Sequence, residues 1–114
     1  MANTFKNALT GITNTNQTSC YTAPSSSGNV GIVVGLLLSN DDTSNDTTAT
    51  VAITDTSASA TTNILKDVTI PQNTALEVCR GNKFVLEAGD ILKVTKGSGG
   101  SGLNVTVSVL EITW

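Results

Sequence analysis

From Leu103 the chain alternates without a fault. Leu103, Val105, Val107 and Val109 fall on one side, and Asn104, Thr106 and Ser108 on the other. A period of two marks a strand with one face on a core. After Val109 the phase flips, because Leu110 and Ile112 occupy the parity that carried the polar residues. A bulge there, or a strand end covered on its second face, accounts for the flip. Ile91 to Lys96 shows the same alternation, with Leu92 and Val94 set against Lys93 and Thr95. Phe84 to Leu86 precedes it across Glu87-Ala88-Gly89-Asp90, where Gly89 supplies the positive φ that a tight reversal needs. The Gly97–Gly102 stretch, GSGGSG, is a flexible loop feeding the final strand.

The earlier segments repeat this grammar. Thr18 to Thr22 is a short strand closed by Ala23-Pro24. Val30 to Asn40 is apolar at both parities, which predicts a central strand covered on both faces, with Gly31 and Gly35 permitting close backbone approach. Ala49 to Asp55 turns Val51 and Ile53 inward. Asn63 to Ile70 places Ile64, Val68 and Ile70 together, with Lys66 snorkelling at the edge. Thr74 to Arg80 turns Leu76 and Val78 inward, and Gly81-Asn82 reads as a hairpin joining it to Phe84. Roughly seven to nine short strands at this spacing predict an all-β, antiparallel β-sandwich of jelly-roll or immunoglobulin-like type. The expected core is Ile32, Val34, Leu36, Val51, Ile53, Leu76, Val78, Leu92, Val94, Val105 and Val107.

The first residues break the pattern. Phe5, Leu9 and Ile12 stand at helical spacing, and Asn3 or Thr4 is placed to cap a short turn. Read as a strand, Phe5, Asn7, Leu9 and Gly11 share a face, a poorer pattern. Residues 1–14 are therefore expected to form an N-terminal arm, set off by Asn14-Thr15-Asn16 from a sandwich over 15–114, and to dock on a neighbouring subunit. Trp114 at the other end is either a core plug or an interface anchor. The interface candidates are thus Phe5, Leu9, Ile12 and Trp114.

Composition narrows the function classes. The chain has 114 residues, enough for one two-layer domain. Only 13% are charged and the net charge is −3, so no basic surface exists for nucleic acid phosphates. Thr, Ser, Asn and Gly fill the polar positions instead, a surface suited to packing among copies of itself or against a partner. Met1 to Gly11 lacks a basic n-region and a continuous apolar stretch, so no secretory signal is expected. Val30 to Leu38 is too short and too interrupted by Gly to span a bilayer. Cys20 and Cys79 are read as reduced, small hydrophobes, with a bridge open only if their strands are neighbours.

Catalytic chemistry is largely missing. There is no His, hence neither the commonest general base nor the commonest metal ligand. Ser and Thr abound without a base placed to activate them. Glu77 and Glu111 lie on strands and are the candidates for a hydrolytic carboxylate pair, and solvation of both is the blander expectation. Asp42-x-Ser44-x-Asp46 begins like a calcium loop, but Thr47 replaces the turn glycine and Ile53 the closing Glu. No catalytic, cofactor-binding or metal residue is assigned.

Taken together, MANTFKNA at the start, YTAP (Tyr21 to Pro24), LKDVTIPQNTALEV (Leu65 to Val78), KFVLEAGDILKV (Lys83 to Val94) and VTVSVLEIT (Val105 to Thr113) resemble a family of small virion structural proteins of tailed bacteriophages. The resemblance implies a non-enzymatic, self-associating protein of the decoration (cement) or tail-accessory type, located in the virion and assembled in the host cytoplasm. It implies as partners further copies of the chain, as a trimer on three-fold sites of the shell, and the major capsid or tail proteins. The competing class is a receptor- or carbohydrate-binding sandwich at a fibre tip, which would favour aromatics clustered on long loops. Phe5, Tyr21, Phe84 and Trp114 are the only aromatics, and none lies in a long loop.

Overall fold

A computed structural model describes residues 1–114. The chain forms nine strands: β1 (Ala2–Ile12), β2 (Thr18–Thr22), β3 (Val30–Asn40), β4 (Thr47–Asp55), β5 (Ala60–Ile70), β6 (Thr74–Glu77), β7 (Phe84–Glu87), β8 (Ile91–Lys96) and β9 (Leu103–Thr113). Pairing is nested and antiparallel throughout: β1 with β9, β2 with β8, β3 with β6 and β7, β4 with β5. Rolling this folded ribbon lays β9 on β3 and β8 on β4. Two sheets result, β1-β9-β3-β6/β7 and β2-β8-β4-β5. That nesting is a jelly roll, which decides between the two sandwich types expected.

The core lies between the sheets. Val33, Leu36, Leu38, Val51, Leu86, Leu92, Val94, Leu103, Val105, Val107 and Val109 are all fully buried there. Of the expected core, Leu36, Val51, Leu92, Val94, Val105 and Val107 are in place, while Ile53, Leu76 and Val78 pack against it in part. Ile32 and Val34 do not belong to it. A bulge in β3 moves the register from Val33↔Val109 to Gly35↔Ser108, so Val34 is extruded and Val33, Leu36 and Leu38 take the inward positions. Of the two explanations for the phase flip after Val109, a bulge in β9 fails. That strand pairs with β1 residue for residue, and its inward series runs on past Val109 to Glu111.

No helix forms at the N-terminus. Residues 2–12 are β1, in register with β9 from Ala2↔Thr113 to Ile12↔Leu103. The expected detached arm is the edge strand of the first sheet, covering one side of β9 within the same chain. A helix this short is marginal in water, whereas the open side of β9 offers a full ladder of backbone partners. Two smaller corrections follow from local geometry. The turn at Gly81-Asn82 exists, with φ of +49° at Arg80 and +88° at Gly81. It does not make a hairpin, because β6 and β7 lie end to end along β3. In β5, register shifts turn Leu65 toward the core and leave Ile64 outside, and Asp67 takes a positive φ with its N–H donating to Thr50 Oγ1 at 3.0 Å. The Gly89 reversal forms as expected, with φ of +81°. Asp90 ties it down by accepting from Glu87 N at 3.0 Å and Thr56 N at 3.2 Å.

Candidate interaction face

The first sheet has an inner side on the core and an outer side with nothing against it. The strand registers arrange the outer side in rows. Phe5, Leu110, Ile32 and Val85 stand in line across β1, β9, β3 and β7. The adjoining row is Asn3, Ile112, Val30 and Glu87. On the other flank come Asn7, Ser108 and Gly35 beside the extruded Val34, then Leu9, Thr106, Leu37 and Glu77. Trp114 continues the outward series of β9 beyond Ile112. Phe5 is 78% exposed, Trp114 75%, Leu9 70% and Val85 62%.

These rows hold no Lys or Arg, and their two carboxylates sit in the β6/β7 column. The second sheet is built the opposite way. Its outward positions on β4 and β8 are mostly polar: Thr48, Thr50, Thr54, Lys93 and Thr95, with Ala52 and Ile91 among them. Hydroxyls there are partnered with neighbouring strands, as in Thr54 Oγ1 to Thr61 Oγ1 at 2.8 Å. One side of the sandwich is therefore designed for water and the other is aliphatic and aromatic. A contiguous exposed apolar patch of this kind marks a contact surface.

Of the four interface candidates, Phe5, Leu9 and Trp114 share this face. Ile12 does not; it lies on the inward parity of β1 and is a core residue. Trp114 is no core plug: its backbone N–H donates to Asn29 Oδ1 at 3.0 Å and its ring stays exposed beside Gly28. Sequence reasoning missed Ile32, Val34, Val85, Leu110 and Ile112 as face residues. The signal was present in the aliphatic residues at the polar parity of β9. At the middle of the face, small residues leave an open hollow of about 340 Å³ floored by Ser108 and walled by Phe5 and Val34.

The polar groups are occupied with structure. Glu111 points inward and is buried; Tyr21 Oη donates to its Oε2 at 2.7 Å, and Lys6 Nζ lies 3.3 Å from Oε1. Burial, reinforced by the neighbouring Glu111 carboxylate, pushes the Tyr21 phenol well above its usual range, so it stays a donor. The Tyr21 ring fits because β3 has glycine beneath it: a Cβ at Gly31 would stand 2.5 Å from Tyr21 Oη. Glu77 has different partners, accepting from Leu36 N at 3.1 Å and Cys79 N at 3.2 Å. The two strand carboxylates are thus engaged separately, and the expectation that both are solvated fails for Glu111.

Asp42 accepts from Ser44 N at 2.8 Å, Asn45 N at 3.1 Å and Ser101 N at 3.0 Å. These backbone donors, Ser44 foremost, lower its carboxyl to about 2. Asp46 likewise accepts from Gln72 N at 3.0 Å, so both carboxylates hold the loop by its backbone. Cys20 and Cys79 are free, buried thiols, and burial raises both above their ordinary range.

No protein-family model matches this chain, and no curated protein matches it either.

Proposed function

We propose that this chain is a non-enzymatic structural protein of a virion, a capsid decoration (cement) protein that self-associates and stabilises the particle. The observation that carries the reading is the outer face of the first sheet, apolar and free of basic residues on a chain with little other chemistry. Such a face is costly to leave in water, at about 25 cal/mol for each Å² of apolar surface, and is retained where a permanent contact covers it. The jelly roll is an architecture that capsid domains use, which supports the reading by analogy of fold alone. The resemblance of the strand and turn segments to phage virion proteins supports it further, and is the sole source of the trimer, of capsid or tail proteins as partners and of assembly in the host cytoplasm. The test is to purify particles from the virus that encodes the chain and label them with an antibody raised against it. Label on the capsid shell is the expected result; particles that carry none of the protein sink the proposal.

One observation favours a second reading. Trp114 stands exposed beside a polar hollow lined by Ser27, Asn29, Ser57 and Glu87, an arrangement that suits stacking on a sugar ring. Under that reading the chain is a tail, neck or fibre accessory, or a receptor- or carbohydrate-binding module. Label on the tail together with glycan binding that Trp114→Ala abolishes would select it.

A further inference from the structure

We propose that the outer face of the first sheet is covered by the same face of another copy of this chain, with Phe5 of one copy set against Val85 of the next. This deepens the self-associating reading above and rests on it. Three observations favour a second copy over an unrelated partner.

The first is size. Eleven-residue strands rise about 3.3 Å per residue and lie about 4.8 Å apart, so four columns span roughly 36 by 19 Å, or roughly 700 Å². A stable interface buries about 800 Å² per partner, so one such face is nearly a whole interface by itself. The second is charge. The chain is acidic at −3, yet the face carries only Glu77 and Glu87, both in the β6/β7 column. With the symmetry axis along the strands, a two-fold pair or a three-fold ring alike sets that column against the uncharged outward residues of β1 in the next copy. Like charges never meet, which self-association through the acidic 41–46 loop would not allow. The third is shape. The same axis lays the row Phe5, Leu110, Ile32 and Val85 against itself, so the exposed Phe5 of one copy meets the exposed Val85 of the next and one surface supplies both halves of the fit.

The test uses the full chain. Its mass in solution is measured by light scattering over a range of concentrations, for the wild type and for Phe5→Asp, Val85→Asp and, on the outside of the second sheet, Thr95→Asp. Phe5 and Val85 are mostly exposed within one chain, so both variants are expected to keep the strand signature in circular dichroism. They occupy opposite edge columns of the face, so together they separate face packing from pairing through the β1 edge alone. The expected result is an oligomeric wild type and Thr95→Asp, with Phe5→Asp and Val85→Asp each weakening association roughly thirtyfold or more. A wild type that stays monomeric at every concentration overturns the inference, as does Val85→Asp that associates as well as the wild type. Antibody labelling of particles separates the two levels. A monomer found on capsids defeats the face pairing and leaves the decoration reading standing. An oligomer broken by the face variants but absent from every particle does the reverse.

Discussion

Tyr21, Glu111 and Gly31 form a small unit in which each residue type is required by the others. Glu111 takes the inward parity of β9 and needs a donor; Tyr21 supplies it from β2 across the sandwich, and only glycine at position 31 leaves room for the ring. Tyr21→Phe leaves a buried carboxylate oxygen without its donor and is expected to cost about 1–3 kcal/mol in urea unfolding. Gly31→Ala should cost at least as much and disturb the same contact. If Tyr21 and Gly31 act through one contact, the double variant will be less destabilised than the sum of the two. Asp42 gives a pH signature. Its folded-state carboxyl lies near 2, below the ordinary carboxylate value, so the stability it contributes is present above about pH 4 and lost as pH falls toward about 2. Asp42→Asn should flatten the dependence of the unfolding midpoint on pH within that window, whereas an unchanged slope would mean the carboxylate does not anchor the loop.

At the scale of the strand, the sequence displayed most of the elements but not the side to which each faced. The alternation of β9 and β8 is visible in the residues because one face is apolar and the other polar. In β3 both parities are apolar, so periodicity alone cannot locate a one-residue bulge. The phase flip at Leu110 and Ile112 therefore admits either a bulge in β9 or a covered second face, and the structure removes the first, since those two residues face outward with Ile32 and Val85. The N-terminal segment misled for a related reason. Phe5 and Leu9 share a parity while Ile12 has the other, so the apparent helical spacing is two outward residues and one core residue of a strand. Glu77 was legible only as a charge, yet it accepts the N–H of Leu36 just beyond the bulge. Glu77→Ala is expected to destabilise by about 1–3 kcal/mol, measured by thermal or urea unfolding, because two backbone donors lose their acceptor. Val107→Asp and Thr106→Asp test the facing of β9. The first buries an unpaired charge and should cost several kcal/mol of fold stability. The second should leave the single chain nearly as stable but weaken association. Equal loss of fold stability from both would mean that the face of Thr106 is already covered within one chain.

The whole molecule divides its surface by role. The outside of the second sheet is mostly threonine with a lysine, interrupted by Ala52 and Ile91, and carboxylates in the 41–46 connection and the Asp90 turn are spent on holding loops. The first sheet presents the apolar side, and β1 is a permanent part of it. Removing residues 2–13 would strip an edge strand and withdraw Ile12 from the core, so point changes on the outer face probe assembly more cleanly than truncation does. The fold was legible from strand spacing alone, and the three candidates that share the face, Phe5, Leu9 and Trp114, came from their places at the two ends of the chain. The face as a surface was not legible, because it is assembled by register between strands far apart in the chain. As proposed, this is a virion protein whose copies meet through that face. The measurement that tests it most directly is a cryo-EM map of the particle with the chain fitted into it. The account predicts copies clustered on the capsid shell with Phe5, Leu110, Ile32 and Val85 turned toward a neighbouring copy. A particle without density for the chain, or one whose copies turn that face to solvent, would contradict it.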